Sequence, residues 1–369
     1  MEISKSALIH NAKQFRKVLG TASLMAVVKS NAYGHDSLLV SRLIEPYVDW
    51  FGTANLTEAL ELRANKIKKP ILVLNYYKLG EADLAIKNNI RLVVYETGQA
   101  RAISSAASKL KKKAIVHIKA GTGLSRLGVA AREVAGLVRQ IQKFPNIKIE
   151  GLFSHFASSE DDPGFTMVQL GHFNKIIDDL NKANIQVPIK HIACTASALS
   201  FPESHFNLAR IGIGIYGHQS YKSIHSLVKK RNPDFSLKPV MAWKAKILAV
   251  KDLPGGAYVG YGRTYKTARK TKLAILPVGY FEGYDRRLSN LAEVLVGGKR
   301  CKIRGRVYMN LVSADVTDVP NVKSGDEAVL IGKQGRQEIL PDELGLIAGT
   351  INYEIMTRIN PLLPRILGK

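Results

Sequence analysis

The chain has 369 residues, 46% hydrophobic and 23% charged, enough for two domains with sizeable cores. Nothing approaches the roughly eighteen uninterrupted apolar residues of a membrane span. The run MEISKSALIHNAKQF has no apolar core of a secretory signal, and two cysteines, Cys194 and Cys301, are too few for a disulfide framework, so a cytoplasmic protein is expected. Lysine plus arginine outnumber aspartate plus glutamate by 54 to 30, a formal charge of +24. The basic clusters, such as Lys229-Lys230-Arg231, are short and lack interleaved aromatics, which predicts a solvated basic surface and no specific nucleic-acid binding.

Ala7, Leu8, Ala12, Phe15 and Leu19 recur at helical spacing and predict a helix over 6–19. Leu24 to Val28 reads as a buried strand that ends at Lys29. A helix is expected from His35 to Ile44, stopped near Pro46. The chain then alternates. Strands are expected at 48–51, 71–74, 91–95, 114–119, 149–156, 189–193 and 208–211, and helices at 57–64, 81–87, 99–110, 130–142 and 167–183, with a short one at 196–199. With the first strand this makes eight, most of them separated by helices, which predicts an α/β fold with an N-terminal (β/α)8 TIM-like barrel. A doubly wound sheet is the other α/β arrangement, but Lys29-Ser30-Asn31-Ala32-Tyr33-Gly34 is no glycine-rich dinucleotide loop.

After about Ser220 the pattern changes. Tyr221 to Ser236 is polar, basic and turn-like. Short apolar runs follow at 242–250, 272–277, 293–296, 301–307 and 327–331, with turn signals such as Pro254-Gly255-Gly256 and Gly297-Gly298 between or near them, and a short helix is expected at 342–347. This predicts a barrel domain over 1–228 and a C-terminal, mostly β domain over 229–369, with the extreme N-terminus a candidate to pack on the β domain.

Catalytic residues of a barrel gather at the C-terminal ends of its strands. Those ends carry Lys29, Lys119, His155, His191 to Thr195, and Arg210, an electropositive mouth suited to a phosphate or carboxylate. Lysine also forms Schiff bases with carbonyl compounds. Arg210-Ile211-Gly212-Ile213-Gly214 brings glycines whose backbone N–H groups can approach an anion closely. His155 and His191 have no ligand-like spacing of Asp, Glu or Cys around them, so no metal site is expected. Cys194 as a nucleophile would need a paired base that sequence does not supply.

Ala26-Val27-Val28-Lys29-Ser30-Asn31-Ala32-Tyr33-Gly34-His35 resembles the cofactor-lysine signature of the alanine racemase family, built from a barrel and a β domain. Further ordered matches are Thr122-Gly123-Leu124-Ser125-Arg126-Leu127-Gly128, Ser154-His155-Phe156-Ala157, Arg210 to Gly217, Pro277-Val278-Gly279-Tyr280, Gly305-Arg306-Val307-Tyr308-Met309 and Thr350-Ile351-Asn352-Tyr353-Glu354. The resemblance implies pyridoxal 5'-phosphate (PLP) held by Lys29. It assigns Tyr33, Thr195, Gly212, Ile213 and Tyr353 to the phosphate. Arg210 is assigned to the pyridine nitrogen with His191 behind it, and His155 to the neighbourhood of the phenolic oxygen. Arg126 and Met309 are assigned to the substrate, and Lys119 is a candidate for carbamylation. Lys29 and a partner subunit's Tyr280 become the two bases of a racemisation between L-alanine and D-alanine, so a homodimer with shared active sites is implied. The family's usual role is supplying D-alanine for peptidoglycan.

The sequence departs from the family pattern at Phe281 and Glu282, in Gly279-Tyr280-Phe281-Glu282-Gly283, and at Tyr308 and Asn310. These positions bear on pocket size, which keeps a broad-specificity or serine-accepting racemase as the alternative. A carrier protein of the same barrel type would usually lack the β domain and its tyrosine. A decarboxylase or aldolase would not call for both Lys29 and Tyr280.

Overall fold

The computed structural model describes residues 1–219 and 222–368. The barrel strands are β1 (Ser23–Val27), β2 (Trp50–Asn55), β3 (Ile71–Tyr76), β4 (Ile90–Val94), β5 (Ala114–Gly121), β6 (Ile147–Phe153), β7 (Ile189–His191) and β8 (Leu208–Ile211). They hydrogen-bond in parallel in the order β8-β1-β2-β3-β4-β5-β6-β7. Asn207 N donates to Lys190 O (3.4 Å) and Arg210 N to Ala193 O (3.1 Å), which joins β7 to β8 and closes the ring. Parallel strands are covered on both faces, so β1 and β3 read as continuous apolar runs rather than alternating ones.

The helices follow from local signals. Asn55 Oδ1 caps Leu56–Ala64 by accepting from Glu58 N, and Asp162 caps Pro163–Lys182 with Pro163 in the first turn. Val134–Gln142 buries Val134, Leu137, Val138 and Ile141 at helical spacing.

The second unit groups residues 1–5, 33–36 and those from Pro239 onward; the barrel unit holds 6–32 and 37–238. Glu2 and Ile3 pair with Ala242 and Met241 in the six-strand path Lys299–Lys302, Glu293–Val296, Glu327–Gln334, Met241–Lys246, Glu2–Ile3, Ile366–Leu367. A second sheet holds Ala249–Leu253, Thr271–Leu276 and Val312–Asp315. The segment beyond the expected 228/229 junction belongs to the barrel unit. Asn11 exchanges hydrogen bonds with the Lys238 backbone (2.9 and 2.8 Å), and Phe235 packs edge-on against Phe15.

Several expectations change in three dimensions. The turn-like reading of 221–236 gives way to a helix, Lys222–Arg231, in which Val228 is buried and Arg231 caps Ser200 O; Ser220 and Tyr221 lie outside the described residues. The strand expected at 48–51 starts at Trp50; Asp49 before it pairs with Arg16 and accepts from the Leu24 N–H through its carboxylate. The run 301–307 leaves its strand at Lys302, before the left-handed Gly305. The helix Asn352–Thr357 carries no apolar stripe long enough to announce itself. Among the described residues, no helix is long and apolar enough to cross a membrane.

Candidate active site

The chain leaves β1 through an uncommon conformation. Lys29–Gly34 forms a helical turn in which Ser30, Asn31, Ala32 and Tyr33 all have φ between 53° and 55°, followed by Gly34 at 87°. Left-handed backbone costs about 1–2 kcal/mol per non-glycine residue, so neighbouring contacts must hold it. Ala32 N donates to Val28 O (2.9 Å), Ser30 N to Glu58 Oε1 (2.8 Å) and Ser37 N to Asn31 Oδ1 (3.0 Å). Glu58 Oε2 also accepts from Ala54 N (2.8 Å), so one carboxylate ties the turn to the end of β2. Tyr216 Oη donates to Val27 O (2.9 Å) and anchors the strand just before Lys29.

The barrel brings Lys29, Lys119, Arg126, His155, His191 and Arg210 into one electrostatic neighbourhood. Burial, then Arg126, lowers the Lys29 amine, with Glu58 opposing. Burial, then Arg126, Arg210 and Lys29, brings Lys119 down to about 8. Lys119 Nζ donates to Leu74 O (3.1 Å). Burial followed by Arg210 pushes His155 and His191 well below the ordinary imidazole value, so both rings are neutral. Cations crowd this mouth, and an anion would relieve their repulsion.

Arg210 is 5% exposed and held through its two terminal nitrogens. Nη1 donates to His191 Nδ1 (2.8 Å) and His191 O (3.1 Å). Nη2 donates to Ser154 O (2.7 Å), Ile192 O (3.0 Å) and His155 Nδ1 (3.1 Å). A guanidinium only donates, so both imidazoles present a bare Nδ1 and carry their proton on Nε2. No hydrogen bond is made by Arg210 Nε among the described residues, which leaves one fixed donor for a ligand acceptor. Burial lowers Arg210 to about 10, still charged at neutral pH.

Beyond β8, Gly212 N and Gly214 N both point at Thr195 Oγ1 (3.2 and 3.4 Å). A Cβ on Gly214 would lie 2.4 Å from Phe15 Cζ and 2.8 Å from Thr195 Cγ2, so the turn closes only with glycine there. Fully buried Ile213 follows Gly212 in this turn. The donor set fits PLP: a lysine with a lowered amine, a hydroxyl and backbone N–H turn for the phosphate, and an arginine Nε–H for an unprotonated ring nitrogen.

The β unit holds the remaining predicted residues. Tyr33 and Tyr353 pack as a tilted ring pair with centroids 5.9 Å apart. Tyr280 N donates to Tyr308 O (3.0 Å) and Phe281 N to Met309 O (2.9 Å), so Tyr280 and Met309 sit on adjoining backbone. A Cβ on Gly279 would meet Tyr308 O at 2.2 Å, so this contact requires glycine. Tyr280 and Met309 are both exposed, at 43% and 56%. Asn310 donates to Glu282 Oε1 (2.8 Å) while Gly279 N donates to Glu282 Oε2 (2.8 Å), so two departures from the family pattern are partners.

Glu58, His117 and Glu150 are contributors that the sequence motifs do not single out. His117 lies two residues before Lys119 on β5, and period two puts both side chains on one face; that was the available signal. Among the described residues, no group of three or more His, Cys, Asp or Glu side chains is placed to hold a metal ion.

The chain matches the family description "Alanine racemase, N-terminal domain" over residues 3–220 and "Alanine racemase, C-terminal domain" over 240–367. It is 40% identical over 367 residues to the alanine racemase of Halothermothrix orenii, covering 99% of this chain and 95% of that one. Among solved structures, alanine racemase from Clostridium difficile 630 superposes with a TM-score of 0.93 at 31% identity, covering 100% of this chain and 94% of that one. The alanine racemase from Bacillus anthracis with bound L-Ala-P gives 0.92 at 30% identity, with the same coverages. Together with the barrel, the β unit and the lysine–arginine site, these likenesses place the chain in the alanine racemase family.

Proposed function

We propose that this alanine racemase interconverts L-alanine and D-alanine with PLP held by Lys29, using Lys29 and a second copy's Tyr280 as bases on opposite faces of the substrate. The observation that carries the reading is Arg210, locked at both terminal nitrogens with Nε–H left to donate. Bound there, PLP supplies an electron sink that weakens the substrate's Cα–H bond. An arginine stays protonated and leaves the ring nitrogen unprotonated, which keeps that sink modest and suits proton return over side reactions.

The chain's own residues supply the rest. Lys29, with its amine lowered by burial and Arg126, is neutral over a wider pH range than a surface lysine and can take the Cα proton. Tyr280 returns a proton from the other face, then the roles reverse for the other enantiomer. Thr195 with the Gly212–Ile213 turn, Tyr33 and Tyr353 are assigned to the phosphate, His155 to the phenolic oxygen, and Arg126 and Met309 to the substrate carboxylate. Lys119, with a pKa of about 8, retains enough free amine to be carbamylated, which would put a negative charge next to Arg126. We assign the enzyme to the cytoplasm as a homodimer, with D-alanine for peptidoglycan as its product. A serine-accepting racemase is the second reading, favoured by the Glu282–Asn310 pair beside Met309.

The test is enantiomer interconversion of L-alanine by purified protein, with and without PLP, and with L-serine alongside. PLP-dependent D-alanine formation is expected, faster than D-serine formation. Absence of both products from PLP-loaded, folded protein would overturn the reading.

A further inference from the structure

Arg210 is a buried cation with no carboxylate among its hydrogen-bond partners in the described residues. Its acceptor, His191 Nδ1, opens a chain that runs through the barrel interior. His191 Nε2 lies 2.9 Å from His117 Nδ1, His117 Nε2 lies 3.3 Å from Glu150 Oε2, and Arg91 Nε donates to that same oxygen at 3.1 Å. His117 and His191 are completely buried. The ends of the chain have fixed polarity: Arg210 only donates and an ionised carboxylate only accepts. Burial raises Glu150, but His117 and Arg91 outweigh it and hold the carboxyl at about 2, so it is ionised.

One proton arrangement satisfies every contact. Arg210 gives to His191 Nδ1; His191 Nε2–H gives to His117 Nδ1; His117 Nε2–H gives to Glu150. Turning over either imidazole's proton would set two donors or two bare nitrogens face to face, unsatisfied in the interior. The rings are held for this purpose. Phe153 stacks on His191 at 4.8 Å and 6°, and Trp50 meets His117 edge-on at 5.6 Å. A Cβ on Gly151 would stand 2.2 Å from His117 Nδ1, so the residue after Glu150 must be glycine for the ring to reach His191.

We infer that His117 and Glu150 are positioning residues for Arg210: the carboxylate anchors the far end of the His117–His191 chain whose near end Arg210 polarises, which holds Arg210 Nη1 and so aims its Nε–H into the site. The role assigned to that Nε–H rests on the proposed function; the proton arrangement does not.

The test is 15N spectroscopy of histidine-labelled full-length protein, with and without PLP, joined to steady-state kinetics. Nε2–H tautomers are expected at both His117 and His191 in the wild type. Glu150→Gln keeps an acceptor and should retain the wild-type His117 Nε2–H signal. Glu150→Leu leaves that Nε2–H without its acceptor and should move the His117 nitrogen signals, with kcat falling on the order of tenfold and little change in KM, while Arg210 still holds His191 as the Nε2–H tautomer. Gly151→Ala should break the His117–His191 bond with no polar group removed, and move the His191 Nε2 signal with a similar loss of kcat. An Nδ1–H tautomer at either ring of the wild type would overturn the inference, as would unchanged His117 signals or an unchanged kcat in Glu150→Leu. Both expected wild-type tautomers in a protein that forms no D-alanine would sustain the proton arrangement and overturn the proposed function.

Discussion

Lys119 is a cation among cations: burial, Arg126, Arg210 and Lys29 all disfavour its charge. Its folded pKa, about 8, lies below the unfolded value of 10.5. Between those values the unfolded chain binds more protons than the folded one, so this group's penalty is full below about pH 8 and fades as pH rises toward 10.5. Lys119→Met should therefore stabilise the PLP-free protein at pH 7 by roughly 1–2 kcal/mol, a gain that shrinks through pH 8–10. Urea unfolding at pH 7 and pH 9.5 checks it; equal gains at both would show that charge is not the cause. Lys29, Lys119 and Arg210 were legible because a strand-end position is a local property. Glu58 was not: its carboxylate serves Ser30 N and Ala54 N, and the Ser30 contact spans 28 positions.

At the scale of elements, the left-handed turn after β1 is the least expected piece. Its sequence, Lys29 to Gly34, has one glycine, and propensity gives no reason for four successive left-handed residues. Surrounding contacts override it. Gly34 lies where a Cβ would sit 2.2 Å from Met356 O, and Arg365 donates to Gly34 O (3.1 Å). Gly34→Ala should cost more than about 2 kcal/mol, since both the contact and the backbone oppose it. Ser30→Gly, at an exposed position, should instead raise stability by about 0.5–1 kcal/mol through relief of the left-handed strain. Thermal unfolding of the pair checks both signs. If both variants lost stability equally, backbone strain at Ser30 would not be the relevant quantity. The barrel strands themselves were readable to within a few residues, because strands buried on both faces must be apolar throughout. The stretch 222–231 reads as turns because it is polar and basic; Val228 is buried there.

For the whole molecule, the β unit leaves Tyr280, Phe281, Met309 and Ile351 exposed, each 43% or more. A tyrosine assigned to catalysis and open to solvent in one chain suits a site completed by a second copy, with two-fold symmetry giving two equivalent sites. Lys29→Ala and Tyr280→Ala chains should each be inactive alone. Mixed and allowed to exchange, they should regain activity, approaching a quarter of wild type if exchange is random and one of the two sites in each mixed dimer is intact, so that about half of all dimers carry one working site. Sedimentation confirms exchange, and D-alanine formation reads the outcome; exchange without recovery would place Tyr280 in its own chain's site. The charge of +24 belongs at this scale as well. Spread over the surface, it should give weak polyanion binding that vanishes as salt is raised from 50 to 200 mM, a range in which purely electrostatic contacts are lost (roughly tenfold or more for several phosphate contacts).

The sequence by itself determined the alternation of strands and helices, the change to a β unit, and the residue types at the strand ends, because apolar periodicity and strand-end placement are written in neighbouring residues. Only the tertiary structure decided which way each imidazole proton points, why Gly151 and Gly279 must be glycine, and how Ser30 to Gly34 stay left-handed. Those depend on atoms that the chain brings within 3 Å from far apart: His117 meets His191 across 74 positions, and Ser154 O meets Arg210 across 56. Hydrogen-bond polarity and close packing act through space, so they have no signature until the barrel closes.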